Sequence, residues 1–199
     1  MLVFRAYLAV LKATGCFKFD LDALDALRTE GAMIIAPNHP SLIDAVLVGS
    51  RLPRMVCIMK SGIQNNPILG GGARLAAYIR DDMHLTMIRS ATAALGDGSQ
   101  LLMFPEGTRT RPDAPCHFKG GYALIAKRAG VPVQTVIIET NSMFLGKGWP
   151  LYKKPAFPVI FTVRLGRRFE VNGDVKATVA AMERYHRAEL AAANLIPKN

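Results

Sequence analysis

The chain has 199 residues, half of them hydrophobic and a fifth charged, enough to bury a sizeable core in one domain; this excludes an intrinsically disordered chain. Lys and Arg outnumber Asp and Glu by 25 to 15, a formal charge of +10, and the pI is near 9.9. Such a balance attracts polyanions, whether nucleic acid, an anionic membrane or phosphorylated substrates. The three cysteines, Cys16, Cys57 and Cys116, lack CxxC spacing, which disfavours a disulfide framework and a structural zinc site and points to a reducing compartment.

No apolar run reaches the ~18–20 residues that span a bilayer. The nearest, residues 1–19, is broken by Arg5, Lys12 and Lys18 and lacks the apolar core and cleavage site of a signal peptide. Ala13-Thr14-Gly15-Cys16 has the look of a lipoprotein box, but Lys12 stands where the apolar run should be strongest. Val3, Tyr7, Val10, Leu11 and Cys16 recur at helical spacing and predict an amphipathic helix over 1–19. Two roles stay open for it: packing on the protein's own core, or docking on a membrane surface.

A helical turn is expected over 21–27, then a buried strand at 33–36. Pro40 suits the first position of a helix reaching Val48. Further strands are expected at 55–59, 78–79, 101–104, 131–138 and 159–165, with helices at 86–95, 122–129 and 175–195. Gly96-Asp97-Gly98 and Gly130 supply stops. Short apolar strands alternating with helices predict an α/β fold: a single domain over 1–199, with a mixed, mostly buried sheet flanked by helices.

Two segments carry reactive side chains where a strand gives way to a loop. In Asn38-His39-Pro40-Ser41-Leu42-Ile43-Asp44, a helix starting at Pro40 puts His39 at or before its cap and Asp44 about one turn inside. The carboxylate could then accept a hydrogen bond from one imidazole nitrogen, leaving the other as a general base. An N-capping histidine beside a solvated aspartate is the structural alternative. In Phe104-Pro105-Glu106-Gly107-Thr108-Arg109-Thr110, Gly107 permits an unusual turn, the threonines add hydroxyls, and Arg109 offers a fork suited to phosphate. Glu106 is expected to orient Arg109 or a backbone amide, or to bind a substrate hydroxyl; a tight turn with an ion pair is the alternative.

Together these segments resemble the glycerolipid acyltransferase family typified by 1-acyl-glycerol-3-phosphate acyltransferases: Asn-His, four residues, Asp, then Phe-Pro-Glu-Gly-Thr-Arg some sixty residues later. Lys60, Pro67, Gly70 and Tyr78-Ile79-Arg80 are similar to the family's second block, Phe118-Lys119-Gly120-Gly121 to the segment after the third, and Val131 to Val136 to the fourth. The motif-bearing core is residues 32–138.

The resemblance implies a glycerol-phosphate acyltransferase-like fold. It also implies a reaction in which His39, oriented by Asp44, deprotonates an acceptor hydroxyl that attacks an acyl-CoA or acyl carrier protein thioester. Arg109, with Gly107, Thr108 and Arg80, would hold the acceptor's anionic head, Glu106 would serve the substrate through a hydroxyl rather than the phosphate, and Lys60 or a backbone N–H would stabilise the oxyanion. Neither metal nor cofactor is implied beyond the thioester co-substrate. The chain departs from the family at Ala77-Tyr78-Ile79-Arg80, where many members read Phe-Ile-Asp-Arg, and at Gln134-Thr135. The acceptor is accordingly either lysophosphatidate-like or a specialised bacterial lipid such as an aryl polyene.

From Met143 to Asn199 there are ten Lys/Arg against four acids, an excess fit for anionic headgroups or for an acyl carrier protein. Trp149, Tyr152 and Phe157 among Lys147, Lys153 and Lys154 suit a membrane interface, or equally a solvated loop. The expected partners are an anionic membrane surface, acyl-CoA or acyl carrier protein, and a lysophospholipid-like acceptor, not nucleic acid, with the protein peripheral on the cytoplasmic face of the inner membrane. The rival readings are a thioesterase or esterase using the same His-Asp pair with water, and a non-catalytic membrane- or nucleic-acid-binding basic domain. His84, His117 and His186 read as surface or packing residues, and Cys57 as an inert buried thiol.

Overall fold

The computed structural model describes residues 2–59, 78–80, 84–110, 117–150 and 152–193. In chain order these form α1 (Leu2–Ala13), β1 (Phe17–Asp20), a 3-10 turn (Asp22–Leu27), β2 (Met33–Pro37), α2 (Asp44–Arg51), β3 (Met55–Met59) and β4 (Tyr78–Arg80). There follow α3 (His84–Gly96), β5 (Gln100–Leu102), α4 (Gly121–Ala129), β6 (Val133–Thr140), β7 (Val159–Phe169) and α5 (Val175–Ala192). The strands make one seven-stranded sheet in the order β1-β7-β6-β2-β5-β3-β4. It is parallel throughout except at β6 and β7.

Burial explains the layers. All five residues of β2 are buried, so this apolar strand is covered on both faces, as a central parallel strand must be. Successive side chains go to opposite sides. Met33 and Ile35 join Leu8 of α1, Leu24 and Leu27 of the 3-10 turn and Leu47 and Val48 of α2. Ile34 and Ala36 join Met87 and Leu95 of α3, Tyr122 and Ile125 of α4 and Met182 of α5. The result is a helix–sheet–helix sandwich. Gly49 lets α1 lie close on α2: a Cβ there would stand 3.1 Å from the Phe4 ring and 2.8 Å from Met55 Cε.

Two expectations are corrected. The N-terminal helix stops at Ala13 rather than running to Phe19, because Gly15 takes φ +72° and Phe17-Lys18-Phe19-Asp20 pairs with β7 from Phe17↔Val159 to Asp20↔Thr162. Phe4 and Leu8 bury against the core, while Val3, Tyr7 and Val10 remain exposed. The second helix begins at Asp44, not Pro40. The Asp44 carboxylate reaches back to the Ser41 amide at 2.8 Å, and the Asp44 amide donates to the Ser41 carbonyl at 3.3 Å. Residues 40–43 are thereby a capped approach rather than a first helical turn.

Strands β2, β3, β4, β5 and β6 all point their carboxyl ends to one edge of the sheet, where open α/β sheets bind ligands. The antiparallel pairing of Thr140 with Phe161 brings the start of β7 to that edge, and β1, parallel to β7, starts there too.

Candidate active site

Beyond the carboxyl end of β2, His39 Nδ1 lies 2.8 Å from Asp44 Oδ2. Asp44 is fully buried, while the His39 side chain keeps 16% of its surface exposed. With Nδ1 donating to the carboxylate, Nε2 is the basic nitrogen. The imidazole stacks on Phe104, ring centroids 3.9 Å apart, which fixes its plane. Burial pushes the Asp44 carboxyl up from its ordinary value; the hydrogen bond and charge of His39, the Ser41 amide and the charge of Arg109 pull it back. Its second oxygen, Oδ1, is buried without a hydrogen bond among the described residues.

Past β5, a turn closed by the Gly107 amide on the Phe104 carbonyl, 3.0 Å, carries the second segment. It is latched to the first through Thr110. The Thr110 amide donates to the His39 carbonyl at 2.7 Å, the His39 amide donates to Thr110 Oγ1 at 2.9 Å, and Thr110 Oγ1 donates to Glu106 Oε1 at 2.5 Å. Glu106 is buried. Burial raises its carboxyl, the Thr110 hydroxyl and the nearby His39 lower it, and the Asp44 charge adds to the rise. The carboxylate of Glu106 thus holds Thr110, and through it the backbone of His39; orienting Arg109 is not its role.

Arg109 is instead engaged by main chain: Nη1 donates to the carbonyls of Leu145 at 2.9 Å and Gly146 at 3.0 Å. The segment after β6 is therefore a third wall of the site, missed in the sequence because it contributes carbonyl groups, which leave no side-chain signature. Ser41 Oγ donates to the Phe144 carbonyl at 2.9 Å, and the Leu42 amide to that of Leu145 at 3.1 Å. Asn38 anchors the same wall from behind, giving Nδ2–H to the Ile138 carbonyl at 2.9 Å and taking the Ile138 amide at 2.7 Å.

Gly107 takes φ +63°, and the Lys119 side chain lies across it: a Cβ there would come 2.8 Å from Lys119 Cε and 2.9 Å from Nζ. Lys119 thus adds a cation at the turn whose next residue is the exposed Thr108. Arg80 closes β4 at the same sheet edge, in register with Met59; Lys60, with Pro67 and Gly70, lies outside the described residues. His117 and His186 stand apart from this site: His117 is 3.7 Å from Glu183 on the surface, and His186 is buried beside Phe118 and Tyr185; the His84 side chain lies outside the described residues. Burial pushes the Cys57 thiol up to about 12, which leaves it unreactive. Among the described residues no three His, Cys, Asp or Glu gather as metal ligands.

Residues 18–139 match the family model described as Acyltransferase, a span that includes both segments and more than half of the chain. The chain belongs to this family. It is 27% identical over 154 residues to the 1-acyl-sn-glycerol-3-phosphate acyltransferase of Helicobacter pylori, covering 71% of this chain and 65% of that one. It is 30% identical over 138 residues to the lysophosphatidylcholine acyltransferase 1 of Rattus norvegicus, covering 64% and 24%. The chain thus spans less than two thirds of either relative. The crystal structure of the 1-acyl-sn-glycerophosphate acyltransferase PlsC of Thermotoga maritima shares the fold, with a TM-score of 0.59 and 21% identity over 88% of this chain and 73% of that one. Among the described residues no helix is long and apolar enough to cross a membrane.

Proposed function

We propose that the protein transfers a fatty acyl group from an acyl-CoA or acyl carrier protein thioester to a hydroxyl of a lysophosphatidate-like acceptor, at an anionic membrane surface. The observation that carries this reading is the buried carboxylate of Asp44 on Nδ1 of His39, 2.8 Å away, on a ring whose other nitrogen is the free base. Nε2 takes the acceptor's hydroxyl proton as the oxygen attacks the thioester carbonyl. The tetrahedral intermediate collapses with cleavage of the C–S bond, and the imidazolium returns its proton to the leaving thiolate. Asp44 stabilises the imidazolium between those two transfers.

Arg109, Lys119 and Arg80 would receive the acceptor's phosphate, with Thr108 and the open backbone at Gly107 beside it, while Glu106 keeps His39 in place through Thr110. Lys60 or a backbone amide would take the oxyanion. Binding the remote anion positions the hydroxyl and lowers the barrier by restricting its freedom. The exposed Val3, Tyr7 and Val10 of α1 and the basic charge of the chain favour a peripheral location on the cytoplasmic face of the inner membrane.

The test is thiol release from palmitoyl-CoA and from an acyl carrier protein thioester, with and without lysophosphatidate in phosphatidylglycerol vesicles. Release that needs the acceptor and is abolished by His39→Ala is expected. Release without an acceptor would identify a thioesterase and overturn the reading.

A further inference from the structure

Residues 140–169 contain no Asp or Glu but six Lys or Arg. Within them, the described part of the loop between β6 and β7 places Lys147, Lys153 and Lys154 in solvent together with apolar side chains. Tyr152 is 93% exposed and Phe157 43%. Lys153 Nζ sits 4.9 Å over the Trp149 ring and Lys154 Nζ 5.7 Å over Phe157. Apolar rings interleaved with cations, with no acid in the segment, match the chemistry of an anionic lipid surface, where rings sit at headgroup depth and lysines pair with phosphates.

The loop is also wired to the reaction centre. Trp149 packs edge-on against Phe144, centroids 6.1 Å apart, and Phe144 and Phe157 both pack on Phe17 at 5.7 and 5.9 Å. From Phe144 a chain of hydrogen bonds runs inward. Its carbonyl accepts from Ser41 Oγ at 2.9 Å, the Ser41 amide donates to Asp44 Oδ2 at 2.8 Å, and that oxygen holds His39 Nδ1 at 2.8 Å. The next residue, Leu145, takes φ +57°, a left-handed backbone that persists only where its surroundings impose it; here the Leu42 amide and Arg109 do so through its carbonyl.

We propose that residues 147–150 and 152–157 dock on an anionic bilayer, and that this contact, passed through Phe144 and Ser41, sets the orientation of the His39–Asp44 pair, so that turnover rises when the loop is seated. Ser41 and Arg109 are then positioning residues, and Arg109 serves the loop as well as any phosphate. The coupling rests on the acyl-transfer reading; the docking does not.

Binding is read by sedimentation with 30% phosphatidylglycerol vesicles. Turnover is read with a short-chain lysophosphatidate kept monomeric, in the presence and absence of acceptor-free vesicles. At about fivefold per lysine removed, Lys153→Gln/Lys154→Gln should weaken binding roughly 25-fold, keep basal turnover on the monomeric acceptor, and lose the stimulation by vesicles. Ser41→Ala should bind vesicles as the wild type does but lose the stimulation, with the change in kcat rather than KM. Binding of the lysine variant within twofold of wild type would overturn the docking. Vesicles that fail to stimulate the wild type, or a Ser41→Ala protein that is still stimulated, would overturn the coupling. Absence of transfer with every donor would remove the acyl-transfer reading and the coupling with it, while sedimentation still decides the docking.

Discussion

Replacing Asp44 by asparagine separates what the buried carboxylate does for catalysis from what it costs the fold. The amide has the same shape and can still accept from the Ser41 amide, now 2.8 Å away, but carries no charge to stabilise an imidazolium on the ring whose Nδ1 stands at 2.8 Å. With the two charge centres about 4 Å apart and an effective dielectric near 20, the lost attraction is about 4 kcal/mol, roughly a thousandfold in kcat. Stability should move the other way. Burial raises the folded-state pKa of Asp44, so the folded protein binds this proton more tightly than the unfolded chain does. The wild type therefore loses stability as pH rises from the unfolded value through the folded one, and above that it carries the full cost. The Asp44→Asn variant has no such cost, so its melting temperature should equal or exceed the wild type's at pH 8, with the difference shrinking toward pH 4. Thermal melts at both pH values beside acceptor-dependent thiol release make the comparison. A variant that keeps more than a tenth of kcat, or whose melting temperature at pH 8 drops by 10 °C, would refute the assignment of Asp44 as partner of the base.

Thr110→Val removes the hydroxyl between the His39 amide and Glu106 and leaves only the direct pull between that amide and the carboxyl, at about 1–2 kcal/mol; Thr110→Ser should restore stability and kcat in urea melts and turnover assays. Gly107→Ala places a Cβ at φ +63°, 2.8 Å from Lys119 Cε. The backbone should cost about 1–2 kcal/mol, and the displaced lysine should raise KM for an anionic acceptor more than it lowers kcat. His186 is fully buried, and neither ring nitrogen makes a hydrogen bond of ordinary geometry among the described residues. Burial holds its pKa at about 4, against a smaller opposing pull from the Ala36 carbonyl and Glu189. With the folded pKa below the unfolded value, its contribution is present at pH 7.5 and lost as pH falls, by about 2 kcal/mol at pH 5.0. His186→Phe should erase that part of the pH dependence in urea melts; an unchanged slope would show that the folded protein binds the His186 proton as readily as the unfolded chain does.

What the sequence discloses of the site, and what it hides, follows from how each contact is made. Side-chain contacts between residues close in the chain are legible: His39 and Asp44 are five apart, and an imidazole and a carboxylate at that spacing after a buried strand suggest one arrangement even when the helix start is misplaced. Pro40 is a good first helical residue, yet the helix starts only at Asp44, because the Asp44 carboxylate turns back onto the Ser41 amide and the Ser41 hydroxyl is drawn away to the distant Phe144 carbonyl. Phe17-Lys18-Phe19-Asp20 alternates as a strand should, but four residues after an apolar helical run do not outweigh the run, and the partner strand β7 lies some 140 residues away. Arg109 is the instructive case. A guanidinium after Glu-Gly-Thr announces an anion, and nothing local announces Leu145 and Gly146, because carbonyl oxygens belong to every residue and gain meaning only once β6 delivers them to the carboxyl edge. One side chain can satisfy both demands, since the fork has donors beyond Nη1. An arginine fixed on main chain at one nitrogen presents its remaining donors along a set direction, which a phosphate pocket needs. If His39 is the base we propose, the wall formed by Phe144 to Gly146 is part of the same site, and variants in its carbonyl contacts should show themselves in kcat before they show in stability.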